Sequence, residues 1–227
     1  MRARSGLQAQ YRNDFALHAS EIVTRHAQQS LEVVDALRKK YETPLYGEVS
    51  TWSLVEKLAQ CIDPTDQRLC AVSQQLHVLQ ILAGMENDGV ATEELIVAAL
   101  VHDLGKVLLL TDEAPENIVC FNEPIGVYQR GIGLDNCVFQ WNHDEFAYSR
   151  LKQHLPDGIA WLVRYHSIVR SSCEEYMDAR DRQYCERYLD LFSRYDHGTK
   201  SPWFLPRKRI DDYRRVLEAW LPAVVVF

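Results

Sequence analysis

The stretch Val101-His102-Asp103-Leu104-Gly105-Lys106 decides the fold, because two polar residues of metal-binding type end the apolar run Leu95-Ile96-Val97-Ala98-Ala99-Leu100. Burying polar side chains at the end of an apolar helix is costly unless those side chains have partners. His102 and Asp103 are neighbours, about 100° apart in helical projection, so both can reach one side of the helix from different angles. The stretch therefore predicts a buried helix that contributes to a metal site.

Four further candidate ligands stand on other predicted helices, before and after this stretch. They are His77, His143, His166 and Asp196. With His102 and Asp103 they make four imidazoles and two carboxylates, which are too many for one ordinary metal centre with an open position. They suit two adjacent metals bridged by the two oxygens of Asp103. Nitrogen and oxygen ligands without thiolate favour iron or manganese as well as zinc.

The remaining histidines are interpreted as surface residues or as hydrogen-bonded core residues. They are His18, His26, His154 and His197. A single histidine is more often of this ordinary kind than a metal ligand. The metal interpretation therefore rests on six candidate ligands together, and not on any one of them.

Composition indicates one ordinary globular domain, which we expect to span residues 1–227. The formal net charge of −7 argues against nucleic acid as the main partner, because phosphate binding requires a basic surface. Neither a signal peptide nor a membrane-spanning segment is predicted. The six cysteines form no C-x-x-C pair, which favours reduced thiols in a cytoplasmic protein. We expect a monomer or a weak dimer that acts on a small molecule.

Apolar periodicity predicts helices along most of the chain and gives no clear strand. The predicted helical segments are 14–41, from Ser50 to about Ile62, 70–86, from Thr92 through Asp103, a helix around His143, 156–170, 180–196 and 209–220. In the first of them, Val23, Ala27, Val34, Leu37 and Tyr41 are expected on the buried face. Residues 111–136 are rich in proline and glycine and are expected to be irregular. The fold class is all-α.

His77, His102-Asp103 and the late Asp196 resemble the HD-domain superfamily, which includes metal-dependent phosphohydrolases. The whole chain is more specifically similar to the myo-inositol oxygenase family, whose members are diiron enzymes of that superfamily. The similar stretches are Tyr11-Arg12-Asn13, Asp63-x-x-Asp66, Leu76-His77-Val78-Leu79-Gln80, His102-Asp103-Leu104-Gly105-Lys106-Val107, Gly126-Val127-Tyr128-Gln129, Gly133-Leu134-Asp135, Trp141-x-His143-Asp144-Glu145, Arg164-Tyr165-His166-Ser167 and Asp196-x-x-Thr199-Lys200.

The resemblance implies an HD-domain helical bundle with a dinuclear metal site between its helices. The first iron would be held by His77, His102, Asp103 and Asp196, and Asp103 would bridge to a second iron held by His143 and His166. The resemblance also implies a mixed-valent Fe(II)/Fe(III) pair, O2 as co-substrate and oxidative C–C cleavage of a bound diol. The substrate supplies the electrons, so no flavin or nicotinamide is expected.

The same resemblance implies a substrate pocket, and it gives Lys106 and Asp103 catalytic roles. The pocket residues carried over are Arg12, Asp63, Asp66, Lys106, Ser167 and Lys200. Such groups can hydrogen-bond hydroxyls and stabilise negative charge on a metal-bound alkoxide. Simpler interpretations exist, because Asp63 can open a turn before Pro64 and Lys200 can end a helix at the surface.

The chain departs from the family at Cys120-Phe121, where the family has a Gly-Asp pair that contacts the substrate. A loop of the animal enzymes before Gly126 is also missing. Replacing a carboxylate by a phenyl ring removes a hydroxyl partner and is expected to redirect specificity. We expect Cys120 and Phe121 to face a substrate that is myo-inositol, another cyclitol or a related hydroxylated compound.

Two other functions remain open at this point. An HD-domain phosphohydrolase would use a similar ligand set to activate water against a phosphoester. A catalytically silent metal-binding or ligand-sensing domain is the third possibility. Lys106 and Lys200 beside a complete ligand set argue against the silent domain, and the flanking sequence favours the oxygenase over the hydrolase.

Overall fold

The part of the chain that the structure describes is an all-α helical bundle with one small two-stranded sheet. The structure is a computed structural model that describes residues 16–66 and 72–227. Within these ranges the helices are α1 (16–27), α2 (Leu31–Lys40), α3 (Thr51–Lys57), α4 (Gln74–Asn87), α5 (Glu93–Val101), α6 (His143–Leu151), α7 (Asp157–Tyr165), α8 (Arg170–Cys173), α9 (Ala179–Tyr184), α10 (Asp190–Gly198) and α11 (Arg214–Trp220). Short 3-10 helices are Leu58–Gln60, Leu104–Leu110, Pro115–Asn117, Leu134–Asn136, Glu174–Tyr176 and Ile210–Tyr213, and Cys185–Leu189 is a π-helix.

The helix α5 lies at the centre of the bundle because nearly all of its residues are apolar. Leu95 and the run from Val97 to Val101 are buried, and the helix packs against α4, α7 and α11. The Thr92 side chain accepts a hydrogen bond from the Leu95 backbone N–H, which caps the N-terminus as the sequence predicts. Its buried C-terminal end brings His102 and Asp103 into the interior of the protein.

Hydroxyl and amide caps also begin the neighbouring helices that carry candidate ligands. Ser73 accepts from the Leu76 N–H at the start of α4, and Asn142 accepts from the Asp144 N–H at the start of α6. The predicted cap of α3 is confirmed, because Ser50 accepts from the Ser53 N–H. These caps fix where each helix starts and therefore which residues face the interior.

The predicted single helix over 14–41 is wrong, because the described chain breaks between α1 and α2. Ser30 caps α2 through the Val33 N–H, and the buried Gln29 side chain leaves the helical pattern to bond Trp141 and Asn117. The break changes the buried face of α1. Ala19, Ile22 and His26 are buried there, whereas Val23 and Ala27 are exposed. In α2 the predicted Val34, Leu37 and Tyr41 are buried as expected.

A two-stranded antiparallel sheet was not predicted and joins distant parts of the chain. β1 (Glu48–Ser50) pairs with β2 (Val224–Val226), with Val49 opposite Val225. The strands have three residues each, which is too short for an alternating pattern to be recognised in the sequence. Phe227 is fully buried and packs edge-on against Phe146, so the sheet holds the end of the chain against α6.

Some predicted helix ends differ from the structure, and α7 ends at Tyr165, whereas the sequence predicted a helix over 156–170. The helix α5 ends at Val101, and Asp103 leads into the 3-10 helix Leu104–Leu110, whereas the sequence predicted one helix through both ligands. The predicted start of the third helix at residue 70 lies outside the described residues. The irregular segment over 111–136 is confirmed, since only short 3-10 turns occur there. Among the described residues, no helix combines the length and the apolar character needed to span a membrane.

Candidate metal centre and adjoining cavity

Six candidate ligands from five helical elements meet in the interior of the bundle. His77 lies on α4, His143 begins α6, His166 follows the last turn of α7, and Asp196 lies on α10. His102 and Asp103 join them from the end of α5. Each of the six residues is at most 5% exposed. The structure therefore brings together the entire set that the sequence predicted.

The two oxygens of Asp103 face different pairs of histidines. Oδ2 lies 3.3 Å from His102 Nε2 and 3.9 Å from His77 Nε2. Oδ1 lies 3.0 Å from His143 Nε2 and 3.6 Å from His166 Nε2. We call the Oδ2 side, with His77, His102 and Asp196, the first half-site, and the Oδ1 side, with His143 and His166, the second half-site.

The spacing of these atoms is that of ligands around metals. Ligand atoms about 2.1 Å from one metal and at right angles to each other lie about 3 Å apart. His77 Nε2 lies 2.9 Å from Asp196 Oδ1, which matches this value in the first half-site. Among the described residues, two groups have potential ligand atoms within 4.8 Å of one another: His77 with His102 and Asp103, and Asp103 with His143 and His166.

The protonation of three imidazoles is fixed by backbone carbonyl oxygens. The Nδ1 atoms of His102, His143 and His166 lie within hydrogen-bonding distance of the oxygens of Ala99, Ile118 and Val163, respectively. A carbonyl oxygen only accepts, so each Nδ1 carries the hydrogen, and in the neutral ring Nε2 keeps its lone pair. This arrangement orients a histidine for metal binding and increases its basicity as a ligand.

Several buried polar atoms at the centre have no hydrogen-bond partner among the described residues. They are His77 Nδ1, His102 Nε2, both carboxylate oxygens of Asp103, His143 Nε2 and Asp144 Oδ1. Buried polar atoms are normally paired, and leaving one unpaired costs about 1–3 kcal/mol. All of these atoms except His77 Nδ1 belong to facing nitrogen and oxygen donors. The residues therefore fit a metal-binding role.

Electrostatics keeps the carboxylates of the centre ionised. Burial opposes ionisation of Asp103, but His102 and Lys106 outweigh it and hold the pKa of Asp103 well below its usual range. Burial is likewise outweighed at Asp196 by Lys200, and its pKa is also well below the usual range. At His143, burial lowers the pKa but the charge of Asp144 and the proximity of Asp103 raise it to about 9.

Two lysines whose side chains are at most 8% exposed connect the candidate metal centre to the turn Asp63–Asp66. Lys106 Nζ lies 3.1 Å from Asp103 Oδ2 and 3.2 Å from Asp63 Oδ2. Lys200 Nζ lies 3.0 Å from Asp66 Oδ2 and 3.6 Å from Asp196 Oδ1. Burial disfavours the charged form of Lys106, but Asp103 and Asp63 outweigh it and raise its pKa. Each lysine therefore joins one candidate ligand to one predicted pocket carboxylate.

A cavity of about 240 Å³ adjoins the centre. Its lining includes Asp63, Thr65, Asp66, Asp103, Lys106, Val119, Cys120, Phe121, His143, His166, Ser167, Asp196, His197 and Lys200. All of the predicted substrate-binding residues within the described ranges thus line one cavity. Arg12 lies outside the described residues. The cavity touches both ligands of the second half-site, whereas His77 and His102 are not among its lining residues.

Cys120 and Phe121 form part of the cavity wall. Cys120 is buried, and burial raises the pKa of its thiol to about 12, so the group is neutral. Phe121 is 51% exposed and packs edge-on against His197, with ring centroids 5.8 Å apart. The phenyl ring therefore lies at the rim of the cavity.

The sequence interpretation missed several residues of this region. Asp144 is fully buried beside His143, and Gln74 accepts a hydrogen bond from Lys106 Nζ at 3.1 Å. His197 was interpreted as an ordinary histidine, but it lines the cavity. One signal could have identified Asp144, because the dipeptide His143-Asp144 repeats the pattern His102-Asp103. No comparable signal marked Gln74.

Comparisons with known proteins give one family and several relatives for this chain. The chain matches the protein family described as myo-inositol oxygenase over residues 19–119 and 111–227. It is 29% identical over 215 residues to Inositol oxygenase 1 of Arabidopsis thaliana, covering 78% of this chain and 68% of that protein. It is also 23% identical over 241 residues to Inositol oxygenase of Rattus norvegicus (88% and 83%) and 21% identical over 238 residues to that of Danio rerio (88% and 85%).

Proposed function

We propose, because this chain belongs to the myo-inositol oxygenase family, that it is a non-haem diiron oxygenase. It would use O2 to cleave a C–C bond in myo-inositol, another cyclitol or a related hydroxylated small molecule. We further propose that residues 1–227 form one HD-type domain that acts in the cytoplasm as a monomer or a weak dimer. The curated relatives carry the name inositol oxygenase, which supports oxygenation of a polyol as the reaction class.

The observation that carries the proposal is the division of the histidines by Asp103. Each of its oxygens has its own pair of Nε2 atoms at 3.0–3.9 Å, as a carboxylate shared by two metals would have. His77, His102 and Asp196 would hold the first iron with Asp103 Oδ2. His143 and His166 would hold the second with Asp103 Oδ1.

A bound Fe(II)/Fe(III) pair would supply one-electron redox chemistry and a Lewis acid for a substrate hydroxyl. His143 and His166 both line the cavity, so a diol that enters it meets the second half-site first. In the first half-site, Asp196 lines the cavity, whereas His77 and His102 do not. This asymmetry assigns substrate orientation to the second half-site.

Lys106 is the residue best placed to stabilise negative charge in the reaction. Its ammonium group lies 3.1 Å from the bridging carboxylate, lines the cavity and is only 5% exposed. In such a poorly solvated position a fixed positive charge acts more strongly than it would in water. Lys106 would therefore stabilise the alkoxide form of a substrate hydroxyl, and Asp103 would stay ionised beside it.

Other residues of the cavity lining provide hydrogen-bonding groups for the other hydroxyls. Ser167 Oγ donates to Asp144 Oδ2 and receives a hydrogen bond from Asn142 Nδ2, so its remaining lone pair can accept from a substrate hydroxyl. Asp63 and Asp66 present carboxylates whose positions are held by the two lysines. Cys120 and Phe121 add apolar wall, which favours a substrate with fewer hydroxyls at that position than myo-inositol.

Oxygen consumption by anaerobically reconstituted protein tests this function directly. The iron-loaded protein is offered a panel of cyclitols, sugars and hydroxyphosphonates, and we expect substrate-dependent uptake of O2 with at least one of them. Zinc-loaded protein is the matched control and should be inactive, because zinc does not change oxidation state. Partially oxidised iron protein should show a low-temperature electron paramagnetic resonance signal of a coupled Fe(II)/Fe(III) pair.

The same preparations distinguish the oxygenase from the phosphohydrolase. Hydrolysis requires only a Lewis acid, so a phosphohydrolase would act with zinc or manganese. We expect negligible hydrolysis of phosphate monoesters and diesters by the zinc, manganese and iron forms. Robust phosphoester hydrolysis by the zinc form, abolished by Asp103→Ala, would replace the oxygenase proposal with the hydrolase.

A further inference from the structure

The side chain of Gln80 is hydrogen-bonded at three points to one irregular segment of the chain. Gln80 lies on α4 and is fully buried. Its Nε2 atom donates to the carbonyl oxygens of Ser201 at 2.6 Å and of Phe204 at 2.8 Å, and its Oε1 atom accepts from the Ser201 backbone N–H at 3.3 Å. Both donors and the acceptor of the amide are therefore used to hold residues 201–204.

Apolar packing supports this segment only weakly. Residues 201–204 follow α10 and belong to no helix or strand. The large apolar side chains of Trp203 and Leu205 are 89% and 73% exposed, so they bury little surface. Backbone groups outside regular structure need hydrogen-bond partners from elsewhere. Gln80 supplies such partners to Ser201 and Phe204, so the position of the segment depends largely on this one side chain.

Lys200 is the cavity residue that this arrangement affects. It directly precedes Ser201, and the hydrogen bond from the Ser201 N–H to Gln80 fixes the peptide group that joins these two residues. Lys200 Nζ lies 3.0 Å from Asp66 Oδ2 and 3.6 Å from Asp196 Oδ1, and its side chain is 8% exposed. A shift of the backbone at this peptide group would therefore move the ammonium group away from both carboxylates.

The helix α10 itself is held against α4 by contacts that do not involve Gln80. His77, Gln80 and Gly84 fall within about 60° in helical projection, so all three lie on one face of α4. His77 Nε2 lies 2.9 Å from Asp196 Oδ1, and a Cβ atom at Gly84 would lie only 2.7 Å from Thr199 Cγ2. Loss of the Gln80 amide should thus release the segment after α10 and leave α10 in place.

We propose that Gln80 is a positioning residue that fixes Lys200 in the cavity and thereby sets the affinity for substrate. This inference rests on the proposed function, in which Lys200 binds a substrate hydroxyl. Gln80 is not among the cavity-lining residues, so it acts through residues 201–204 and not by contact with substrate. Lys106 also lines the cavity but lies on the 3-10 helix Leu104–Leu110, which makes it an internal control.

Acetylation of the two lysines tests the positioning role without any enzyme activity. Full-length protein is treated with limiting acetic anhydride, and mass spectrometry gives the rates at Lys200 and Lys106. Gln80→Leu removes the three hydrogen bonds, and Gln80→Asn shortens the side chain and decides the matter if the first variant does not fold. Gln75→Leu is the matched control, because Gln75 also lies on α4 but its Nε2 atom donates to the Val55 carbonyl oxygen.

We expect Lys200 to be acetylated at least about tenfold faster in both Gln80 variants than in wild-type protein, because residues 201–204 open locally. The rate at Lys106 should change by less than about twofold, since a local opening leaves other parts of the bundle closed. Gln75→Leu should leave both rates at their wild-type values. Circular dichroism and Tm check the fold of each variant.

Kinetics with the best substrate of the oxygen-consumption panel test the consequence for function. Gln80→Leu should raise KM about tenfold and change kcat by less than about threefold, because Gln80 affects binding and does not take part in the chemical step. Lys200→Met should raise KM at least as much. The double variant Gln80→Leu/Lys200→Met should be no worse than Lys200→Met alone, and such non-additivity is expected if Gln80 acts through Lys200.

Each contrary result has a separate meaning. Unchanged acetylation of Lys200 in both Gln80 variants would refute the positioning role and leave the oxygenase proposal intact. Parallel increases at Lys200 and Lys106, or an equal increase in Gln75→Leu, would show general loosening of the bundle and would also refute it. Additive effects on KM would show that Gln80 affects substrate binding by a route other than Lys200. If wild-type protein consumes no O2 with any substrate, the proposed function fails, and the acetylation rates still decide whether Gln80 positions Lys200.

Discussion

The two half-sites around Asp103 share a carboxylate but differ in their access to the cavity. His77 and His102 are fully buried and are not among the cavity-lining residues, whereas His143 and His166 are among them. His77 comes from the middle of α4, while His143 and His166 stand at the start of α6 and the end of α7. Both histidines of the second half-site thus line the cavity, whereas the first half-site reaches it through Asp196 and the shared Asp103 alone.

The difference shows how one bundle can separate metal retention from substrate binding. A ligand in the middle of a long helix is held by side chains packed on both sides along its length. A ligand at a helix end is next to irregular chain, here the segments that carry Cys120 and Ser167, and these can shape a cavity. We therefore propose that the first half-site serves to retain a metal and the second to exchange substrate.

The largest effect is expected from Asp103→Asn, because this change affects both half-sites. A neutral amide has one oxygen and cannot present an anionic oxygen to each histidine pair. We expect iron to fall from two per chain to less than one, and O2 consumption to fall on the order of a thousandfold, or about 4 kcal/mol. Metal analysis and oxygen-electrode assays measure these quantities.

Asp35→Asn is the control, since Asp35 is an exposed aspartate on α2 that does not line the cavity. It should leave both iron content and rate unchanged. Undiminished iron in Asp103→Asn would show that the half-sites do not share this carboxylate, and the comparison between them would lose its basis.

How far the sequence predicted this centre depends on the kind of signal. His102 and Asp103 could be identified because two costly polar residues end an apolar helix, and four more candidate ligands stand on separate predicted helices, namely His77, His143, His166 and Asp196. Their division into two half-sites by Oδ1 and Oδ2 of Asp103 required coordinates, because sequence spacing does not determine which oxygen faces which ring. Asp144 was not assigned to this centre from the sequence, because an acidic residue in the first turn of a helix is commonly explained by its interaction with the helix dipole.

The fold could be predicted where the apolar periodicity extends over many residues, and it could not be predicted where that pattern is short. The helices that carry His77, His102 and His166 follow apolar patterns of nine or more residues. The break at Ser30 depends on Gln29 bonding to Trp141, more than a hundred residues away, and no local pattern reports such a contact. The pairing of β1 with β2 also joins segments that are far apart in the sequence, so no local pattern predicts it.

Lys106→Met should have the next largest effect, and it tests the role of the positive charge beside the Asp103 carboxylate. The change leaves the buried carboxylates of Asp103 and Asp63 without their shared ammonium group. Removing one partner of a buried ion pair costs about 3–5 kcal/mol. We expect a loss of this size in the free energy of unfolding of metal-free protein, measured by urea denaturation.

The double variant Lys106→Met/Asp63→Asn is the matched control, because it removes one of the two orphaned charges. It should recover part of the lost stability. If Lys106→Met is as stable as wild-type protein, Lys106 does not neutralise the Asp103 carboxylate. Its proposed role in stabilising a substrate alkoxide would then also be refuted.

Gly105→Ala should damage the second half-site selectively. A Cβ atom at Gly105 would overlap the backbone carbonyl of His143, which cannot rotate away. A Cβ atom at Gly84, on the side of the first half-site, would instead meet side chains, with Thr199 Cγ2 at 2.7 Å and Tyr195 Cδ1 at 2.9 Å. Side chains can adjust, so Gly84→Ala should be the milder of the two changes.

We expect Gly105→Ala to displace His143, to lose about one iron per chain and to reduce stability by about 1–3 kcal/mol. Gly84→Ala should keep two irons, with a smaller decrease in Tm. Metal analysis and thermal unfolding of both variants measure the contrast. Equal loss of iron from the two variants would contradict the idea that the half-sites are positioned by separate packing contacts.

The smallest effect concerns substrate choice at the rim of the cavity. Phe121 lines the cavity where the family places a carboxylate, so wild-type protein should turn over myo-inositol poorly relative to a less hydroxylated or differently substituted compound. Phe121→Asp restores one acceptor for a substrate hydroxyl, worth about 1–3 kcal/mol. The ratio of kcat/KM for myo-inositol to that for the best other substrate should rise about tenfold to a hundredfold.

Val127→Asp, at an exposed position outside the cavity lining, controls for the added surface charge. If wild-type protein already prefers myo-inositol, or if the two variants change the ratio equally, Phe121 does not set specificity and the second half-site selects its substrate through the metal and the lysines alone.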